Sequence, residues 1–116
     1  MKYLCLAYGD EKDWNVLTKA EQDKLLAQNQ VIRKRGALMA AVQDSVTTVQ
    51  AWDGTPVTTN GAFAHCAVPL AGLCVIEAKY LNQVVQLIAA TPCARAKGAI
   101  EVQPILTIND AEYRDR

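Results

Sequence analysis

At 116 residues, 51% hydrophobic and 21% charged, the chain has the size and make-up of one folded domain, which excludes a two-domain arrangement and an unstructured segment. Its 12 basic and 12 acidic side chains cancel and its isoelectric point is near 6.5, so there is no positive field for a phosphate backbone and nucleic acid is not an expected partner.

Residues 2 to 8 are aromatic and aliphatic, are bounded by Gly9-Asp10, and are too few for a helix of ordinary length. They predict a first strand. Tyr3, Cys5 and Ala7 alternate with Leu4, Leu6 and Tyr8, so both faces are apolar and the strand is expected to be central and covered on both sides. Thr18-Lys19-Ala20-Glu21 fits a capping box and opens a helix over about 18 to 36. Arg33-Lys34-Arg35 complements the helix dipole at its end, and Gly36 supplies a left-handed cap. On its inner stripe, Gln22, Leu25, Asn29 and Ile32, the amide of Asn29 is placed to face a ligand or to bond a neighbouring backbone group, and the backbone bond is the expectation.

Residues 37 to 42 and 46 to 52 predict strands, with Asp53-Gly54 as a two-residue hairpin turn into a short strand at 56 to 59. Asn60-Gly61 marks a second turn, and residues 62 to 71 lack a clean period and are expected to be a loop. Strand character resumes at Gly72 and runs to Ala78. A second helix follows over 79 to 90, with Leu81, Val84, Val85 and Ile88 inward and Thr91-Pro92 as its stop. A last strand is expected over 99 to 106, and residues 107 to 116 form a charge-rich tail outside the domain of residues 1 to 106.

This order predicts an α+β fold of ferredoxin-like topology, with an antiparallel sheet and two helices on one face. The uncovered apolar face then predicts a homodimer joined sheet to sheet. No leader is expected from the six apolar residues after Lys2, and the stretch from Cys66 to Ile76 is too short to span a membrane. A cytoplasmic protein with reduced thiols and no membrane partner is the expectation. Cys5, Cys66, Cys74 and Cys93 form no C-x-x-C pair, and no H-E-x-x-H, Walker loop or G-x-G-x-x-G is present, so no metal or other cofactor is expected.

Met1-Lys2-Tyr3, Tyr8-Gly9-Asp10-Glu11, Asn60-Gly61-Ala62-Phe63 and Gly98-Ala99-Ile100-Glu101-Val102-Gln103-Pro104-Ile105 together resemble the YCII-related family in its DGPF-motif branch, over residues 1 to 106. That resemblance implies a dimeric α+β barrel of ferredoxin-like subunits. Some members are associated with extracytoplasmic-function sigma factors, and a related branch includes a dehydrochlorinase of chlorinated hydroxyquinols. Two departures stand out. Asn60 and Ala62 replace the motif's carboxylate and proline, which removes an acid or base at position 60. Gln103 stands where similar sequences often carry arginine, so a neutral amide replaces a cationic anchor. The histidine that the catalytic branch carries on its first helix has no counterpart in residues 18 to 36.

His65 is the single histidine. It has a side chain suited to general-base work near neutrality, or is a loop residue bonded to a backbone carbonyl or solvent. Tyr8 suits a pocket rim, with its ring buried and its hydroxyl available, or a plain core or interface position. The leading expectation is a homodimer that binds a small organic molecule in a barrel pocket near Tyr8, Asn60, Phe63, His65 and Gln103. One alternative is a lyase- or isomerase-type enzyme on a cyclic or aromatic substrate with His65 as acid-base group. The other is a regulatory module associated with a sigma factor.

Overall fold

In the computed structural model, which describes residues 1–109, Lys2–Tyr8 forms β1 between two antiparallel neighbours. The chain continues through α1 (Glu11–Asn15), α2 (Lys19–Lys34), β2 (Leu38–Ala41), β3 (Thr47–Gln50), β4 (Val57–Asn60), β5 (Leu70–Glu77), α3 (Leu81–Ile88), α4 (Pro92–Arg95) and β6 (Ala99–Pro104). The four-stranded sheet has the order β2-β5-β1-β6, and β3-β4 is a separate two-stranded ribbon. With the ribbon and the two short helices set aside, this is the ferredoxin-like βαββαβ arrangement, antiparallel throughout. The expected α+β class and central β1 are what the chain adopts.

Side-chain alternation sorts the sheet into two unlike faces. Tyr3, Cys5, Cys74 and Ile76 are buried on the helix face against Ile32 of α2 and Val84 and Ile88 of α3. Their neighbours Leu4, Leu6, Leu73 and Val75 point the other way and stay half-exposed, and Leu38 is 63% exposed. The helices that pack on this core, α2 and α3, lie on the first face, so within this chain β1 is covered on one side and open on the other, as two helices on one face predict.

The α2 capping box forms as the sequence predicts. The Thr18 hydroxyl accepts from the Glu21 N–H at 3.2 Å, and the Glu21 carboxylate accepts from the Thr18 N–H at 2.9 Å. The Thr18 backbone N–H foremost, and then the Thr18 hydroxyl, hold the Glu21 carboxyl below its ordinary range. At the other end Gly36 takes φ +87°, the left-handed cap. On the inner stripe Gln22 donates to the Trp14 carbonyl at 3.0 Å, whereas the backbone bond expected of Asn29 is not made among the described residues; beside the stripe, Gln28 donates to the Leu87 carbonyl at 2.6 Å.

Three local expectations are corrected. Two short helices join the expected pair. In α1, Asp10 is the N-cap and accepts from the Lys12 N–H; in α4, Pro92 follows the N-cap Thr91 and so starts a helix as well as stopping one. The connection between β3 and β4 spans residues 51 to 56, because Gly54 N–H closes onto the Ala51 carbonyl and Asp53 takes the Thr55 N–H at 3.0 Å. The next strand opens at Leu70, two residues before Gly72, because Leu70 already pairs with Tyr8. Of the expected tail, residues 110 to 116 lie outside the described residues. No described helix is long and apolar enough to cross a membrane.

Gly98 sets the approach of β6 to β1. A Cβ there would collide with the Tyr8 carbonyl oxygen and lie 2.6 Å from the Cys93 carbonyl oxygen, both of them backbone atoms. Gly98→Ala is therefore expected to cost about 1–3 kcal/mol, read as a lower urea midpoint at unchanged slope. An unchanged midpoint would show that the β1–β6 edge tolerates the extra atom.

Candidate functional site

A cleft of about 230 Å³ opens on the helix face between α2, the β2 edge of the sheet and the α3–α4 turn. Drug-sized sites run to roughly 300–1,000 Å³, so this one has the capacity for a single small ring. Ile32, Met39, Ile88 and Ile100 make its apolar wall. Two polar side chains enter from α2. Asn29 and Arg33 are four residues apart, hence stacked on one helix face, and both line the cleft. Among the described residues the one ion pair is Lys19 with Asp23, so the Arg33 guanidinium has no carboxylate partner there. Thr91 also lines the cleft, but its hydroxyl donates to the Ile88 carbonyl at 2.6 Å and is already committed.

Three free thiols, Cys5, Cys74 and Cys93, reach the same cleft. Cys5 and Cys74 are register partners and titrate as a pair. Cys5 is the member that stays protonated, pushed far above the ordinary thiol range by its hydrogen bond to Cys74 and then by burial. Accepting that bond lowers Cys74, against the opposing pull of burial. Burial alone raises Cys93. Among the described residues, no group of three or more His, Cys, Asp or Glu converges as a metal site.

The residues singled out from the sequence lie elsewhere. Tyr8 and Gln103 share the open face, but Gln103 pairs with Leu4, four residues along β1 from Tyr8, or about 13 Å. Tyr8 instead meets Glu101. The hydrogen bond its phenol makes to that carboxylate, then desolvation, then the carboxylate's charge raise Tyr8, and the Cys66 thiol on the loop between β4 and β5 adds to the effect. Asn60 ends β4 opposite Thr47. Phe63 is 78% exposed, and His65 is exposed on the same loop. Of the cleft pair, Asn29 is the residue the sequence flags, through the interruption of the α2 stripe, whereas Arg33 reads there as part of the helix-end charge.

A ferredoxin-like α+β domain with an open sheet face and a ring-sized cleft under its helices is thus the class of protein that fold and site define. The chain belongs to the YCII-related family, whose domain model matches residues 1–109. Among solved structures it is similar to 5-chloro-2-hydroxyhydroquinone dehydrochlorinase from Burkholderia phenoliruptrix in complex with 2,5-dihydroxybenzoquinone, at 15% identity and a TM-score of 0.47, over 90% of this chain and 93% of that one. No curated protein matches the chain.

The Tyr8–Glu101 contact has a titration signature. Phenolate absorbance, with Tyr8→Phe as the difference control, is expected to place Tyr8 above the ordinary phenol value of about 10. Ionising the phenol beside a carboxylate puts two negative charges together, so Glu101→Gln lowers that midpoint. A midpoint indifferent to Glu101→Gln contradicts the contact.

Proposed function

We propose that this protein binds a small organic molecule in the helix-face cleft and works as a homodimer whose open sheet faces lie against each other. The observation that carries the binding reading is the half-buried Asn29 and the exposed Arg33 bordering a largely apolar, ring-sized recess. A few convergent polar groups in an apolar cavity are the usual design of such sites, because the wall supplies burial and the polar groups fix orientation. The Asn29 amide offers both donor and acceptor, and the Arg33 guanidinium suits an anionic or strongly accepting group on the ligand. The homodimer reading is supported by the half-exposed Leu4, Leu6, Leu73 and Val75 together with the exposed Leu38. Membership in the DGPF-motif branch, the finer family placement, is supported by Asn60-Gly61-Ala62-Phe63, which keeps the turn glycine and the aromatic.

One observation favours a second pocket. Tyr8 and Glu101 are diagonal neighbours on the open face, and the Glu101 carboxylate, with a smaller contribution from Cys66 on the loop of Phe63 and His65, raises the Tyr8 phenol. A dimer would enclose that end, with Gln103 farther along the same face and Asn60 at the root of the loop. There His65 would be the acid-base group of an enzyme reading.

A thermal-shift screen of small cyclic acids and phenols separates the two, since a ligand of the folded state raises the midpoint by mass action. For the hit, Arg33→Ala and Asn29→Ala are each expected to weaken binding roughly tenfold or more, the size of a lost hydrogen bond to a charged or well-placed group. Tyr8→Phe and Gln103→Ala are expected to leave it unchanged. The reverse pattern would move the ligand to the open face. A turnover that falls by about 10²–10⁴ on His65→Ala with the fold intact would replace binding by catalysis.

A further inference from the structure

Cys5 of β1 and Cys74 of β5 face each other directly in the ladder. At the end of the same ladder Met1 and Ala78 exchange both backbone hydrogen bonds, at 3.2 and 2.9 Å. Hydrogen-bonded pairs recur every second residue of an antiparallel ladder, so Tyr3–Ile76 and then Cys5–Cys74 occupy positions of the same kind. Opposed Cα atoms at such positions are about 5.5 Å apart, inside the range of about 4.4–6.8 Å that a disulfide spans. Both side chains project to the helix face, where they are 1% and 8% exposed, and both line the cleft, which gives a small oxidant its path to them.

We propose that Cys5 and Cys74 are a modification site, a dithiol that a hydroperoxide converts reversibly into a cross-strand disulfide. The thiolate sulfur of one cysteine attacks the peroxide's terminal oxygen. An S–O bond forms, the O–O bond breaks, and the departing alkoxide or hydroxide takes up a proton. The second sulfur then attacks the sulfenic sulfur, so that the S–S bond forms as the S–OH bond breaks and water leaves. Two thiols and one hydroperoxide give one disulfide, one alcohol or water, and one further water, with two electrons passing from sulfur to the peroxide bond.

Geometry makes this bridge labile. Cβ atoms of directly opposed strand residues are about 4.5–5.5 Å apart, with hydrogen-bonded pairs at the wide end, whereas a relaxed disulfide holds them at about 3.5–4.5 Å. Closing it draws β1 and β5 together at one rung and stores strain, which shifts a disulfide toward ready reduction by a dithiol. In a reducing compartment the pair therefore rests as thiols and closes only under oxidant. Closure turns both sulfur atoms toward each other and away from the cleft floor.

The test needs no ligand. The full chain is exposed to excess hydrogen peroxide, free thiols are alkylated under denaturing conditions, and a digest that cuts between Cys66 and Cys74 is mapped without reductant. The expected product has lost two hydrogens and yields one bridged pair, Cys5 with Cys74, which dithiothreitol releases. Recovery of both cysteines in alkylated form, their bridging to Cys66 or Cys93, or their conversion to unbridged sulfinic acids would each overturn the proposal. In Cys5→Ala the loss of two hydrogens is expected to disappear; should that variant fail to fold, the map of the unaltered chain still decides.

Discussion

The β1 ladder is the constraint on which the rest of the molecule depends. With β5 on one side and β6 on the other, its register decides which of two apolar sets of side chains meets the helices. A slip of one residue would send Leu4 and Leu6 under α2 and α3 and put Tyr3 and Cys5 outside. The register is pinned at both ends. Met1 and Ala78 close one end with a double hydrogen bond, and at the other the β6 backbone presses so closely on Tyr8 that only a glycine fits at position 98. The core, the cleft with its facing thiols, and the open face all follow from that alignment.

Much of this was legible where the chemistry is local. The capping box at Thr18 and Glu21, the left-handed Gly36 and the apolar run of β1 each act within a few residues and were readable without the fold. Elements that depend on distant partners were not. The five residues of α1 carry no apolar period, and their helix is held from outside when Gln22 reaches the Trp14 carbonyl. Pro92 reads as a stop because it ends the helical pattern before it, yet its fixed φ equally suits the first turn of α4. Gln28 likewise looked like an ordinary surface position until its bond to Leu87 tied α2 to α3.

The candidate site was less legible than the fold for the same reason. The Asn29–Arg33 spacing is local, but the apolar wall opposite comes from β2, the α3–α4 turn and β6, up to about seventy residues away in sequence. Tyr8 was singled out as a rim residue, and what it meets is the Glu101 carboxylate, one ladder step diagonal to it on β6. Gln103, where similar sequences often carry arginine, lies on the open face, whereas Arg33 borders the cleft on the helix face.

The two faces impose different fates on the same strand. On one, the helices exclude water and leave a recess; on the other, leucine and valine side chains remain half-exposed over a four-stranded sheet, an arrangement that the proposed second copy would relieve by laying an identical face against it. Light scattering of the full chain across micromolar concentrations tests this most directly. A molar mass of twice 12.6 kDa is the predicted result, and a mass of 12.6 kDa that stays constant with concentration would contradict it.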